Sequence, residues 1–224
     1  MAFPRTKPYA IILGHSFVQS LQDHFFYIHA NTNEMADYES YCARELEVSH
    51  KIERVFLVGW RGAKVLPSPT QSYVPFTLPH KFLSELLLEI AILELGSNDI
   101  AVGHDPHEVA AAIIGLAQQL RETYKVPVVK ICSVLDRDNS VNLTLDEFHD
   151  RALLLNKSLS HLAKFTPGIS YHNHAGFWRD GEGSTVHPSE WSFDAIHPNN
   201  QVGRKLYKKS LKNCLHNAVR TLKQ

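Results

Sequence analysis

Tyr9-Ala10-Ile11-Ile12-Leu13-Gly14-His15-Ser16-Phe17 is an apolar run that stops at a glycine and hands over to a serine at the head of a helical pattern. The run 9–13 is short, bounded by Pro8 and Gly14 and apolar throughout, as a strand buried on both faces must be. From Ser16 the period changes: Phe17, Leu21 and Phe25 recur four apart, which predicts a helix over about 16–26. A hydroxyl at that handover stands at the sheet edge. There the free amides and positive dipole end of the helix face any oxyanion formed beside it. An ordinary helix cap after a turn has the same pattern. Two more stretches add weight: Gly96-Ser97-Asn98-Asp99 closes another apolar run, and Asp194-Ala195-Ile196-His197-Pro198 lies near the C terminus.

Outward from this stretch, the pattern predicts further strands over 54–58, 90–95, 126–134 and 169–172. Between them come helices. Residues 37–47 read as a short one, and 79–88 as another with Phe82, Leu86 and Leu87 at helical spacing. Asp105-Pro106-His107-Glu108 is a capped start, followed by Val109, Ile113, Leu116, Leu120 and Tyr124 on one face. Thr144-Leu145-Asp146-Glu147 opens a helix to about 165 with Phe148, Leu155, Leu159 and Leu162 apolar. A last helix after Pro198 is expected to bury Val202, Leu206, Leu211, Leu215, Val219 and Leu222. The segment with Pro67, Pro69 and Pro75 reads as irregular. Strands alternating with capped amphipathic helices imply an α/β fold, a three-layer α/β/α sandwich with a mainly parallel sheet of about five strands. Ligands of such sheets bind beyond the carboxyl ends of the strands, where Ser16, Gly62, Asn98 and the His197 loop all fall.

Residues 1–224 read as a single domain, with no low-complexity stretch dividing them. Lys+Arg and Asp+Glu are 23 each, so the overall field gives no strong nucleic-acid signal and no draw to an anionic membrane. Cys42, Cys132 and Cys214 are odd in number and widely spaced, which suits reduced thiols in a cytoplasmic protein better than a disulfide framework. No apolar run approaches the ~20 residues that span a bilayer, and the first residues lack a signal-peptide core. A soluble, cytoplasmic chain is the expectation, and nothing in the sequence speaks to oligomeric state.

Hydrolysis by a serine needs a hydroxyl, an imidazole to take its proton, a carboxylate to orient that imidazole and donors for the oxyanion. Ser16 is the candidate nucleophile, His197 the base and Asp194 the orienting carboxylate. The amides of Ser16 and Gly62 and the side-chain amide of Asn98 form the candidate oxyanion hole, where a glycine lets the backbone approach without a Cβ. An imidazole base predicts activity that rises as the base loses its proton near neutral pH.

In order and spacing these residues resemble the SGNH, or GDSL-like, hydrolases. Gly14-His15-Ser16 is similar to the family's first block, Gly62 in Gly59-Trp60-Arg61-Gly62 to its second, Gly96-Ser97-Asn98-Asp99 to its third, and Asp194 to Pro198 to its fifth. The resemblance implies a flavodoxin-like sheet, ester hydrolysis with no metal and no cofactor, and the roles just given to Ser16, Gly62, Asn98, Asp194 and His197. His15 stands where the family usually has aspartate, and Phe17 where it has leucine. The Gly-His-Ser-Phe form, Leu93 to Asp99 and the Phe177-Trp178 loop are similar to esterase-like domains encoded in animal non-LTR retrotransposons.

Several readings stay open at this level. Phe177, Trp178, Trp191 and Phe193 either wall a substrate pocket or anchor the loop that carries His197. The pairs His104/His107 and His172/His174 invite a metal, but two ligands do not define a site, so none is expected. Arg204, Lys205, Lys208, Lys209 and Lys212 on the last helix read as a solvated face. The predicted function is a serine esterase acting on a small acyl-ester or lipid-like substrate, with short acyl groups favoured and acetyl esters, lysophospholipids and thioesters all open. The competing prediction is an esterase fold with weak or lost catalysis, serving RNA, lipid or protein binding in a mobile-element protein.

Overall fold

A computed structural model describes residues 6–31, 37–67, 74–75, 78–137, 140, 142–174, 188–192, 194, 196–199 and 201–224. The strands are β1 (Tyr9–Gly14), β2 (Arg54–Gly59), β3 (Ala63–Lys64), β4 (Val74–Pro75), β5 (Ile90–Glu94), β6 (Val128–Cys132) and β7 (Ile169–His172). The helices are α1 (Ser16–Asn31), α2 (Tyr38–Glu45), α3 (His80–Glu85), α4 (Ser97–Ala101), α5 (Pro106–Glu122), α6 (Leu145–Lys164), α7 (Pro188–Trp191) and α8 (Gly203–Leu222).

Strand side chains alternate between faces, and here both faces are dry. Ile11, Leu13, Ala91, Leu93, Val129 and Ile131 join one core with α4, α5 and α6. Their neighbours Ala10, Ile12, Ile90, Ile92 and Val128 join the other with α1, α2 and α8. That is why the strands read as continuous apolar runs rather than as alternating ones. The five strands lie in the order β2-β1-β5-β6-β7, every pair parallel. Connections leave β1 toward β2 on one side and return to β5 on the other, so the order reverses between β1 and β5. Gly14 pairs with both Gly59 and Glu94, which brings three strand ends to one line. The crevice beyond that line is where a sheet of this order binds ligands.

The helix starts are chemical. Asp105 accepts from the amides of His107 and Glu108, with Pro106 in the first turn of α5. Thr144 and Glu147 form a reciprocal capping box on α6. Asp37 accepts from Ser40 at the head of α2.

The structure corrects three expectations. The proline-bearing segment carries a second, two-stranded parallel sheet, β3 with β4. The helix expected over 79–88 ends at Glu85, because Leu86 turns to extended backbone and carries Leu87 out to solvent at 76% exposure. Ser97–Ala101, directly after β5, forms a helical turn. Val202 is 44% exposed because α8 starts only at Gly203, and Tyr207, Cys214 and Ala218 complete the buried stripe instead. All three cysteines are buried free thiols.

Candidate active site

The end of β1 positions the candidate nucleophile, Ser16. Gly14 accepts at its carbonyl from the Trp60 amide at 3.0 Å, and the His15 amide donates to the Glu94 carbonyl at 3.1 Å, so Ser16 leaves a strand held on both sides. Ser16 is the first residue of α1, whose opening amides have no intrahelical acceptor. His15 Nδ1 accepts from the Phe17 amide at 3.4 Å, so an imidazole does the capping that a carboxylate or hydroxyl does elsewhere. Capping by Nδ1 needs a neutral ring. Burial lowers the His15 pKa to about 4 against the pull of Glu94, with the charges of Arg137, His197 and His174 lowering it further.

The candidate oxyanion donors Gly62 and Asn98 come from the turn after β2 and from α4, which are tied together. Gly62 sits at φ +71°, a left-handed conformation that favours glycine. The Asn98 side-chain amide donates to the Ala63 carbonyl at 3.0 Å, which orients it and leaves its second N–H for another acceptor. The fully buried Asp99 carboxylate accepts from the Val65 amide at 2.9 Å and the Leu66 amide at 3.0 Å. Burial raises the Asp99 pKa to about 6, even though those amides favour its anion. The Gly62 loop is thereby clamped onto α4 by two neighbouring side chains of one helical turn.

The candidate base, His197, lies on the segment before α8. Asp194 Oδ1 accepts from the amides of Ile196 (3.0 Å) and His197 (2.6 Å), and Oδ2 lies 2.6 Å from His197 Nδ1. Burial acts to raise the Asp194 pKa, but the His197 amide and ring bonds and the Ile196 amide outweigh it and hold the carboxyl below its ordinary value. Trp191, only 1% exposed, packs against Phe17 at a ring separation of 6.4 Å. Ser192 and Pro198 pair across the loop base, and the Asn199 amide donates to the Trp191 carbonyl at 2.7 Å. Asn199 Oδ1 then accepts from Val202 and Gly203, starting α8.

Ser16, Gly62, Asn98, Asp194 and His197 all line one cleft of about 580 Å³. The His197 ring lies 5.8 Å from the ring of Phe17, the residue next to the candidate nucleophile. Of the aromatic residues weighed for substrate contact, Trp191 is a loop anchor, since its ring is buried in the core. Phe177, Trp178 and Phe193 lie outside the described residues.

Beneath the cleft, Glu94 and His174 are buried, with His174 Nε2 3.0 and 3.2 Å from the two carboxylate oxygens. Burial acts to raise the Glu94 pKa, but the charge and hydrogen bond of His174, with smaller contributions from Cys132 and His15, hold it below the ordinary value. Glu94, Cys132 and His174 carry ligand-type atoms within 4.8 Å of one another, the set among the described residues that could hold a divalent ion. The His172/His174 pair converges on Ser210, whose Oγ lies 3.0 Å from His172 Nε2 and 2.7 Å from His174 Nδ1. On the basic helix, Lys208 pairs with Glu45 at 3.1 Å and Lys212 with Glu47, so part of that charge is neutralised by α2 and its C-terminal turn. Among the described residues, no helix is long and apolar enough to cross a membrane.

Three contributors escaped the sequence reading. Asp99 stands in the sequence only as part of the Gly96–Asp99 block, and Asn199 and Arg137 carry no motif. Asn199, three residues before a helical pattern, was findable as an Asx cap. The partners of Asp99, Val65 and Leu66, are remote in sequence and leave no local signal.

The sequence profile of the GDSL-like Lipase/Acylhydrolase family matches residues 12–204. Among solved structures, the chain is similar to a GDSL-like lipase from Bacteroides thetaiotaomicron, with 16% identity, a TM-score of 0.60, and coverage of 97% of this chain and 93% of that one. It is also similar to a carbohydrate esterase family 3 protein from Talaromyces cellulolyticus, with 10% identity, a TM-score of 0.59, and coverage of 96% and 99%. Similarity at these identities carries the fold alone. No curated protein matches the chain significantly by sequence.

Proposed function

Because the chain belongs to the GDSL-like lipase/acylhydrolase family, we propose that it is a serine esterase using Ser16, His197 and Asp194. The observation that carries this reading is the convergence of Ser16, Gly62, Asn98 and the Asp194–His197 pair on one cleft, with the carboxylate 2.6 Å from His197 Nδ1. His197 Nε2 takes the proton as Ser16 Oγ attacks the ester carbonyl, and Asp194 holds the tautomer and stabilises the imidazolium. The amides of Ser16 and Gly62 and the free N–H of Asn98 receive the oxyanion. Collapse of the tetrahedral species expels the alcohol, protonated by His197. Water, deprotonated by the same imidazole, then releases the acid and restores Ser16. A cleft of about 580 Å³ suits a small-molecule ester with a short acyl group.

Hydrolysis of p-nitrophenyl acetate by the purified chain tests this, beside Ser16→Ala and His197→Ala. Each substitution is expected to lower kcat about 10³-fold or more with the thermal midpoint preserved. An inactive parent, or equal rates in all three proteins, would remove the catalytic reading and leave the fold as a binding module.

A further inference from the structure

The cleft holds a cation that the ester chemistry does not use. Arg137 lies on the loop after β6 and is only 5% exposed, yet it lines the same cleft as Ser16, Asn98 and His197. That loop is held in place from below: Asn156 Oδ1 accepts from the Val134 amide at 2.8 Å, and its Nδ2 donates to the Val134 carbonyl at 2.9 Å. The guanidinium is centred 4.4 Å over the ring of the buried Phe148, so its position is supported from one side by an apolar surface. The neighbouring carboxylate, Asp136, is engaged elsewhere. It accepts from the Arg137 backbone amide at 3.0 Å and pairs with His149.

Among the described residues, no acceptor meets the Arg137 guanidinium, and its Nε is a buried donor without a partner. A buried, unpaired donor on a buried cation is costly, and such a group calls for an explanation. Burial lowers its pKa to about 10, against the pull of Asp136, so it is still charged at neutral pH. The lining adds to the charge. Lys64 and Arg61 also face the cleft, and the carboxylate among the lining residues, Asp194, is engaged with His197. Arg61 is partly offset by Asp23 at 3.2 Å.

We propose that Arg137 is the anion-binding residue of a substrate subsite, and that the preferred substrates are esters carrying a compact oxyanion, a carboxylate or a phosphate, beside the scissile bond. The proposal rests on the esterase reading above. Guanidinium geometry suits both oxyanions through paired N–H donors, and the Phe148 ring leaves the group's edge to make those bonds. An anion seated in the cleft beside Arg137 neutralises the buried charge.

The test compares matched esters. Mono-4-nitrophenyl succinate against 4-nitrophenyl butyrate places the charge on the acyl side, and 4-acetoxybenzoate against its methyl ester places it on the alcohol side. In at least one pair kcat/KM is expected to favour the anionic ester by about tenfold or more, as hydrogen bonds to a charged group allow. In Arg137→Gln that ratio is expected to fall to near one, and in Arg137→Lys to an intermediate value. Inorganic phosphate is expected to compete with the favoured ester in the parent and to lose that effect in Arg137→Gln, which separates phosphate from carboxylate recognition. If Arg137→Gln fails to fold by circular dichroism, the Lys variant carries the comparison.

Ser16-dependent hydrolysis with ratios near one in both pairs, or a ratio unchanged in Arg137→Gln and Arg137→Lys, overturns the subsite and leaves the esterase standing. If no ester is turned over, the esterase reading fails. Binding of the intact succinate ester to Ser16→Ala protein, with and without Arg137→Gln, then decides the subsite by itself. Weaker binding in the double variant supports it, and equal binding overturns it.

Discussion

The two halves of the site are held by different means. Ser16 and Asn98 follow central parallel strands, where register, backbone hydrogen bonds and two dry faces fix every residue. Asp194 and His197 belong to the segment between α7 and α8. It is held by an aspartate that folds it locally, one buried tryptophan and an asparagine that ties it to α8. A sheet spreads its positional constraint over many contacts, so no single side chain is decisive. A loop concentrates the constraint, so a few are.

The sharpest way to break this comparison is Trp191→Ala. Removing a fully buried aromatic ring is expected to cost about 3–5 kcal/mol and to release the base from the cleft, so stability and esterase activity fall together. Urea unfolding beside a kcat measurement checks it. Normal turnover in a destabilised protein would show that the loop is placed by something other than this ring. On the sheet side, Asn98→Ala is expected to lower kcat about 10²–10³-fold, the usual effect of losing one oxyanion donor. Since its other N–H ties α4 to Ala63, a modest fall in thermal midpoint should accompany the loss. Unchanged kcat would remove Asn98 from the oxyanion hole.

A third experiment reads the cap beneath Ser16. His15 has a folded pKa of about 4, below the ordinary 6.5, so the unfolded chain takes up a proton that the folded one refuses. Stability from this group is fully present above pH 6.5 and is lost as pH falls toward 4, by about 3 kcal/mol over the full window. Urea midpoints at several pH values should show this slope in the parent, and a shallower one in His15→Gln. Equal slopes would assign the acid sensitivity to other groups. The smallest effect is expected of Asn199→Ala, about 1 kcal/mol for a lost helix cap, with a drop in kcat larger than the stability change implies. A kcat unchanged in that variant would mean that the cap holds α8 and not the loop.

Much of this architecture was legible because it is written in local patterns. The apolar run at Tyr9, the caps at Asp105 and Thr144 and the change of period at Ser16 each report on residues a few positions apart. The strand pattern placed Ser16, Gly62 and Asn98 at one sheet edge, and Asp194 lies close enough in sequence to His197 to reach its ring through a single turn. Legibility ended where spacing stopped carrying information. Leu87 and Val202 fit a helical stripe and yet lie just beyond the helix ends, and β3 pairs with β4 across a proline-rich segment that no short-range rule marks. The retrotransposon-like subgroup and a cytoplasmic location stay expectations from the sequence.

The sequence by itself determined the layers, the strand and helix types and the chemical identity of the candidate triad, because hydrophobic period, capping and residue type act over a turn or two of chain. Only the tertiary structure decided how those residues meet: Trp191 as an anchor, Asp99 as the clamp on the Gly62 loop, His15 as a neutral cap and Arg137 as an unpaired cation in the cleft. Each depends on burial, and Trp191 and Asp99 also on partners far away along the chain. Desolvation and long-range pairing come into being only when the layers close, so they leave no trace in local spacing.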